Sequence, residues 1–122
     1  MTVTKEELEY YANTMLDQLT YGHRGALKAM LGTQNIIHFE FEYQGYKQPT
    51  IAFDFKMSRK YKYCRIIYQQ GKDVYAMQFL DKNGKVVTEF DEVYFDELNS
   101  KFSEVTGLCL IMPRIVNWQG EK

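Results

Sequence analysis

The stretch from Phe53 to Leu80, FDFKMSRKYKYCRIIYQQGKDVYAMQFL, constrains the fold more than any other. Apolar and aromatic residues alternate there with polar ones at a period of two, and Gln70-Gly71 interrupts them, so the segment reads as successive strands at the centre of one antiparallel sheet. The alternation continues upstream. From Ile36, the side chains of Ile37, Phe39, Phe41 and Tyr43 alternate with His38, Glu40 and Glu42 in a first strand that ends at the Gln44-Gly45 turn. Ile51, Phe53, Phe55 and Met57 repeat the pattern against Ala52, Asp54 and Lys56 in a second strand, with Pro49 marking its beginning. Tyr61 to Gln69 and Asp73 to Leu80 form the third and fourth, and Asp81-Lys82-Asn83-Gly84 turns the chain into a fifth over Lys85 to Phe90. A five-strand meander is expected.

Helical spacing flanks this sheet. Thr4 and Glu7 form a capping box, after which Leu8, Tyr11, Ala12, Met15, Leu16 and Leu19 recur on one helix face. Tyr21 to Gly25 breaks that helix, and Ala26 to Leu31 forms a short second piece stopped by Gly32, which predicts an N-terminal helical hairpin. Phe95, Leu98, Phe102 and Val105 predict a further helix near 95–106, ended by Thr106-Gly107. Leu108 to Val116 reads as an apolar strand held at a sheet edge by Pro113, and Asn117 to Lys122 as a loose tail. The expected fold is α+β: the hairpin packed on one face of a five-stranded, mostly antiparallel sheet, with a second packing helix and a C-terminal edge strand. Phe39, Phe41, Ile51, Phe53 and Phe55, together with Leu8, Met15, Leu98 and Phe102, are expected to share its core.

At 122 residues, 45% of them hydrophobic, the chain suits one domain over residues 1–122 with a real core. Fifteen bases against sixteen acids leave a formal charge of −1, so attraction to polyanions as a whole molecule is excluded and any charge steering must come from patches. Cys64 and Cys109 lie inside predicted strands with no CxxC spacing, which fits buried thiols in a reducing compartment. No apolar run approaches the roughly 18 residues of a membrane span, and the start MTVTKEELEYY is polar. A cytoplasmic location without membrane contact is expected.

The blocks KAMLGTQN (28–35), GKDVYAMQF (71–79), VYFDEL (93–98) and TGL (106–108) resemble a group of small proteins common in phages, prophages and mobile elements. The likeness runs from about Ala26 to Leu108 and rests on apolar, turn and capping positions, so it transfers no catalytic residues. It implies an accessory gene of a mobile genome that acts by binding, as inhibitors of host defence, including the anti-CRISPR class, do.

Three constellations can be read functionally. Lys56, Arg59, Lys60, Lys62 and Arg65 interleave with Tyr61 and Tyr63, a pattern that suits single-stranded DNA or RNA if the cations track phosphates and the rings stack on bases. The same residues equally suit a solvated hairpin edge. Between Glu89 and Glu104 six acids face Lys101 alone. Asp91, Glu92, Asp96 and Glu97 within that run can present an acidic surface to the basic groove of a host nuclease or other defence component, or simply form a helix's outer face. Asp54 and Lys56, with Glu40 or Glu42 on the neighbouring strand, match the minimal Mg²⁺-dependent set of PD-(D/E)xK nucleases if they share a face.

Other signals are weaker. His23, His38, Cys64 and Cys109 have no zinc-clip spacing, the Asp81 turn lacks the later ligands of a calcium loop, and nothing local activates a thiol. No cofactor or metal is therefore expected. Tyrosines such as Tyr10, Tyr46, Tyr68 and Tyr94 add rings suited to interfaces. The preferred reading is a non-catalytic binding protein that meets a host protein through its acidic segment, with single-strand binding as the alternative and a nuclease behind both.

Overall fold

A computed structural model describes residues 4–56, 58–108 and 110. Helix α1 (Lys5–Thr20) opens with the expected capping box: the Thr4 hydroxyl accepts from the Glu7 N–H at 3.1 Å, and the Glu7 carboxylate accepts from the Thr4 N–H at 2.8 Å. Tyr21 ends it in the left-handed conformation, and α2 (Gly25–Leu31) follows. Arg24 holds the connection back against α1, its guanidinium donating to Asp17 Oδ1 at 2.8 Å and to Asn13 Oδ1 at 2.9 Å.

The sheet is a meander in the order β1 (Ile36–Tyr43), β2 (Tyr46–Asp54), β3 (Tyr63–Gln69), β4 (Val74–Leu80) and β5 (Val86–Val93). All four pairings are antiparallel. A single turn of 3-10 helix (Phe95–Glu97) then leads into α3 (Leu98–Thr106). These elements realise the α+β class read from the sequence. The expected C-terminal strand falls mostly on Cys109 and 111–116, outside the described residues, as does the tail.

One face of the sheet carries the core. Ile51, Phe53, Cys64, Ile66, Met77 and Phe79 are fully or almost fully buried there against Met15, Leu19, Leu27, Leu31, Leu98 and Phe102 from the helices. Phe102 lies at the centre, with ring centroids 5.3 to 6.0 Å from Phe55, Phe53 and Phe79. Apolar burial at this density is what stabilises a chain of this size.

Two expectations about the core are corrected. Leu8, near the start of α1, is only half-buried. Phe39 and Phe41 lie on the face opposite Phe53, because Tyr43 pairs with Tyr46 across a two-residue turn and the register then sets Ile36 beside Phe53 and His38 beside Ile51. Cross-strand partners share a face, so Ile36, His38, Glu40 and Glu42 point to the helix side while Ile37, Phe39, Phe41 and Tyr43 point away. The turn takes this form because Gln44 and Gly45 both adopt positive φ, 51° and 87°, the primed geometry whose twist matches a right-handed hairpin.

The strand boundaries move for related reasons. β2 begins at Tyr46, before Pro49, since Pro49 pairs only with Glu40 of β1 and the β2–β3 pairing starts one residue later at Thr50 and Ile67. β2 ends at Asp54, β3 starts at Tyr63 rather than Tyr61, and β5 runs on to Val93 through two register shifts. The face turned away from the helices has a small cluster of its own, Tyr43, Ile67 and Ala76 with Phe41, joined by no helical residue among those described. Tyr43 donates from its hydroxyl to Glu89 Oε2 at 2.7 Å, linking β1 to β5. In a flat sheet these strands would stand about 19 Å apart, so the sheet is curled toward this face.

Candidate functional site

Register and face dismantle the nuclease constellation. Glu40 and Glu42 are on the helix side of β1, whereas Asp54 pairs with Tyr63 on the opposite face, and Lys56 lies exposed beyond the end of β2. Among the described residues no group of three acidic, histidine or cysteine side chains could hold a metal ion. Asp54 has a different occupation. Its Oδ1 accepts from the N–H groups of Gln34 and Asn35 at 3.0 and 2.8 Å, fixing the entry into β1. Asp54→Ala should therefore cost about 2 kcal/mol of stability, as loss of two bonds to a charged acceptor implies, read as a lower urea midpoint with an unchanged slope.

The remaining ligand candidates are scattered. His23 lies exposed between α1 and α2, and His38 is exposed on β1. Cys64 is fully buried between Phe53 and Phe79 on neighbouring strands, and burial pushes its thiol well above the usual range, which keeps it protonated and unreactive. Cys109 lies outside the described residues.

The basic segment is divided between surfaces. Tyr61 is buried, its ring 5.7 Å from Phe79 and its hydroxyl 2.6 Å from Thr88 Oγ1, so it offers no stacking face. Lys62 is half-buried and donates to the Ser58 carbonyl at 2.6 Å. Lys56, Arg59 and Lys60 are exposed around the β2–β3 connection. Tyr63, 41% exposed, and Arg65 sit on the helix-free face, where the Arg65 guanidinium lies 4.2 Å from the Phe41 ring centre and donates to Gln78 Oε1 at 2.7 Å. Of the two tyrosines in the segment, only Tyr63 presents an open ring.

The acidic run keeps its surface. Glu89 is engaged by Tyr43 and Glu104 lies 3.6 Å from Lys101, but Asp91, Glu92, Asp96 and Glu97 are all exposed. Between buried Val93 and buried Leu98 the chain makes its 3-10 turn, with the Glu97 N–H donating to the Tyr94 carbonyl at 2.8 Å and the Tyr94 N–H donating to Glu97 Oε1 at 2.9 Å. The Tyr94 hydroxyl donates to Glu92 Oε2 at 2.9 Å, and that carboxylate holds the phenol above its ordinary pKa. These bonds set the turn's shape and leave Tyr94 48% and Phe95 62% exposed. Phe95 shares the helical spacing of Leu98 and Phe102 that predicts a helix near 95–106. It precedes the α-helix and points outward, so the helical spacing counted it one turn too early.

A feature not signalled by periodicity lies at the end of the sheet. Because β2 and β3 pair only from Thr50 and Ile67, the β1–β2 and β3–β4 hairpin ends part, leaving an open cavity of about 500 Å³ lined by Tyr43, Tyr46, Lys47, Gln48, Gln69 and Lys72. No helix is long and apolar enough to cross a membrane among the described residues. Comparison with protein-family models, with curated protein sequences and with solved structures returns no match.

Proposed function

We propose that the protein is a non-catalytic binding protein of a phage or other mobile element that inhibits a host defence or nucleic-acid-handling protein, docking through Asp91, Glu92, Tyr94, Phe95, Asp96 and Glu97. Phe95 carries this reading: an apolar ring 62% exposed, on a turn fixed by its own hydrogen bonds and surrounded by four exposed acids. A rigid aromatic anchor within a charged rim is how recognition surfaces concentrate binding energy, since the ring fills a pocket and the rim sets partner choice. The acids select a basic partner, such as the nucleic-acid channel of a nuclease, and accelerate its capture. The mobile-element setting comes from the resemblance of the 28–35, 71–79, 93–98 and 106–108 blocks.

The test is affinity capture from host lysate, followed by binding measurements with the purified partner. The wild-type chain should retain a basic protein. Glu92→Lys combined with Asp96→Lys should abolish retention, and Phe95→Ala should weaken the purified complex by about tenfold to a hundredfold while leaving the fold intact. A partner whose affinity ignores both changes removes this surface from the proposal. Retention of labelled single-stranded DNA or RNA instead, weakened by charge reversal at Arg59 and Lys60, transfers the role to the basic β2–β3 connection.

A further inference from the structure

The cavity where the β1–β2 and β3–β4 hairpin ends part has a polar lining that is fixed from behind. Gln48 and Gln69 both line it, although they are only 8% and 4% exposed. One end of each carboxamide is tied down. Gln48 Oε1 accepts from the Gln70 N–H at 3.2 Å, and Gln69 Nε2 donates to the Asp91 carbonyl at 2.6 Å. The Gln48 Nε2 and the Gln69 Oε1 have no hydrogen-bond partner among the described residues. Buried amides ordinarily satisfy both ends, so each of these side chains keeps one group for a ligand in the cavity.

The rim adds two further kinds of group. Tyr46, 72% exposed, stands two residues before Gln48 on the same face of β2, about 7 Å along the strand. Lys47 and Lys72 bring two cations against one acid, Glu42, which pairs with Lys47 across the hairpin. Lys72 makes no ion pair among the described residues. The volume of about 500 Å³ falls within the roughly 300 to 1,000 Å³ of small-molecule sites.

We propose that this cavity binds an adenine nucleotide. A glutamine carboxamide sets a donor beside an acceptor, which matches the N7 acceptor and amino donor on one edge of adenine, whereas the same edge of guanine shows two acceptors. Gln48 has that donor free, and its oxygen keeps a second lone pair beyond the one given to Gln70. The exposed ring of Tyr46 covers the face of the base, as aromatic side chains do for unpaired bases. Lys72, with Lys47, meets the phosphate and supplies the surplus positive charge that a nucleotide requires. The site does not rest on the docking surface at Phe95: its ligand contacts come from other side chains, and it is tested without a host protein.

Equilibrium dialysis of the full 122-residue chain against radiolabelled adenosine monophosphate tests the proposal. The expected result is saturable uptake of one nucleotide per chain. Tyr46→Ala and Lys72→Glu, both at exposed positions, should leave the unfolding transition unchanged and each weaken binding by about tenfold or more. Lys82→Glu, the same charge change in the turn at the opposite end of the sheet, should not weaken it. Gln48→Glu keeps an acceptor for the Gln70 N–H and removes the amide donor, so it should also weaken binding by about tenfold. Absence of saturable uptake, uptake that ignores Tyr46→Ala and Lys72→Glu, or displacement by inorganic phosphate or guanosine monophosphate as readily as by unlabelled adenosine monophosphate would overturn the proposal.

Discussion

Phe102→Ala should lower stability by about 3 to 5 kcal/mol, the range found when a fully enclosed aromatic is truncated. Phe102 is 0% exposed and touches the rings of Phe53, Phe55 and Phe79, which come from three places in the sheet layer, so no single side chain can collapse into the space it vacates. Against the 5 to 15 kcal/mol typical of a domain, that loss removes about a fifth or more of the total and should depress the thermal midpoint by about 10 °C or more. Phe95→Ala, only seven residues earlier, provides the control. Its ring is mostly in solvent, so its effect on stability should stay within about 0.5 kcal/mol. Thermal unfolding followed by circular dichroism compares the two, and equal losses would mean that Phe102 is not the centre of the core.

The contrast between these two phenylalanines shows where sequence reasoning reached and where it stopped. The five strands, their order, the N-terminal capping box and the glycine stops at Gly32 and Gly107 were legible because each depends on local chemistry: alternation, a side-chain cap, a left-handed backbone residue. The face of β1 was misjudged because alternation alone leaves the phase between strands undefined. The sequence did contain the missing constraint, since a two-residue turn at Gln44-Gly45 makes Tyr43 oppose Tyr46 and therefore pairs odd positions with even ones. Counting across the turn would have moved Phe39 and Phe41 off the core face and separated Glu40 and Glu42 from Asp54. The acidic positions of the candidate surface were legible as a charge run. The exposure of Phe95 was not, because it depends on a turn of 3-10 helix whose side chains depart from the 3.6-residue spacing used to place it. The curl of the sheet, seen in the Tyr43–Glu89 bond, joins residues 46 positions apart and has no local signature.

Long-range polar contacts of that kind can nevertheless be decisive, and Asn99 on α3 is the strongest instance. Its side chain is 4% exposed and its Nδ2 donates to the Leu19 carbonyl at 2.8 Å, satisfying an acceptor in the last turn of α1 that has no onward helix to bond to. Asn99→Asp keeps the shape but exchanges the donor for a carboxylate facing a carbonyl at the negative end of a helix, in a buried site. Burial, the facing carbonyl and the end of α1 all disfavour the charged form, and the first turn of α3, in which residue 99 sits, opposes them by only about 0.3 to 1 kcal/mol, so the folded-state pKa should rise above the unfolded value of about 3.9. The folded state then binds more protons than the unfolded one between the two pKa values, and the variant's stability relative to wild type falls as pH rises through that window. A displacement of about three pH units corresponds to a loss of about 4 kcal/mol, complete above the folded pKa and absent near pH 3 to 4, where the protonated acid can donate to Leu19. Asn99→Ala should instead cost about 1 to 3 kcal/mol at every pH, since it leaves the carbonyl unpaired without adding a titrating group. Urea unfolding of wild type and both variants between pH 4 and 8 separates the cases. A penalty for Asn99→Asp that does not grow with pH would show that Asn99 is not the buried donor joining α1 to α3.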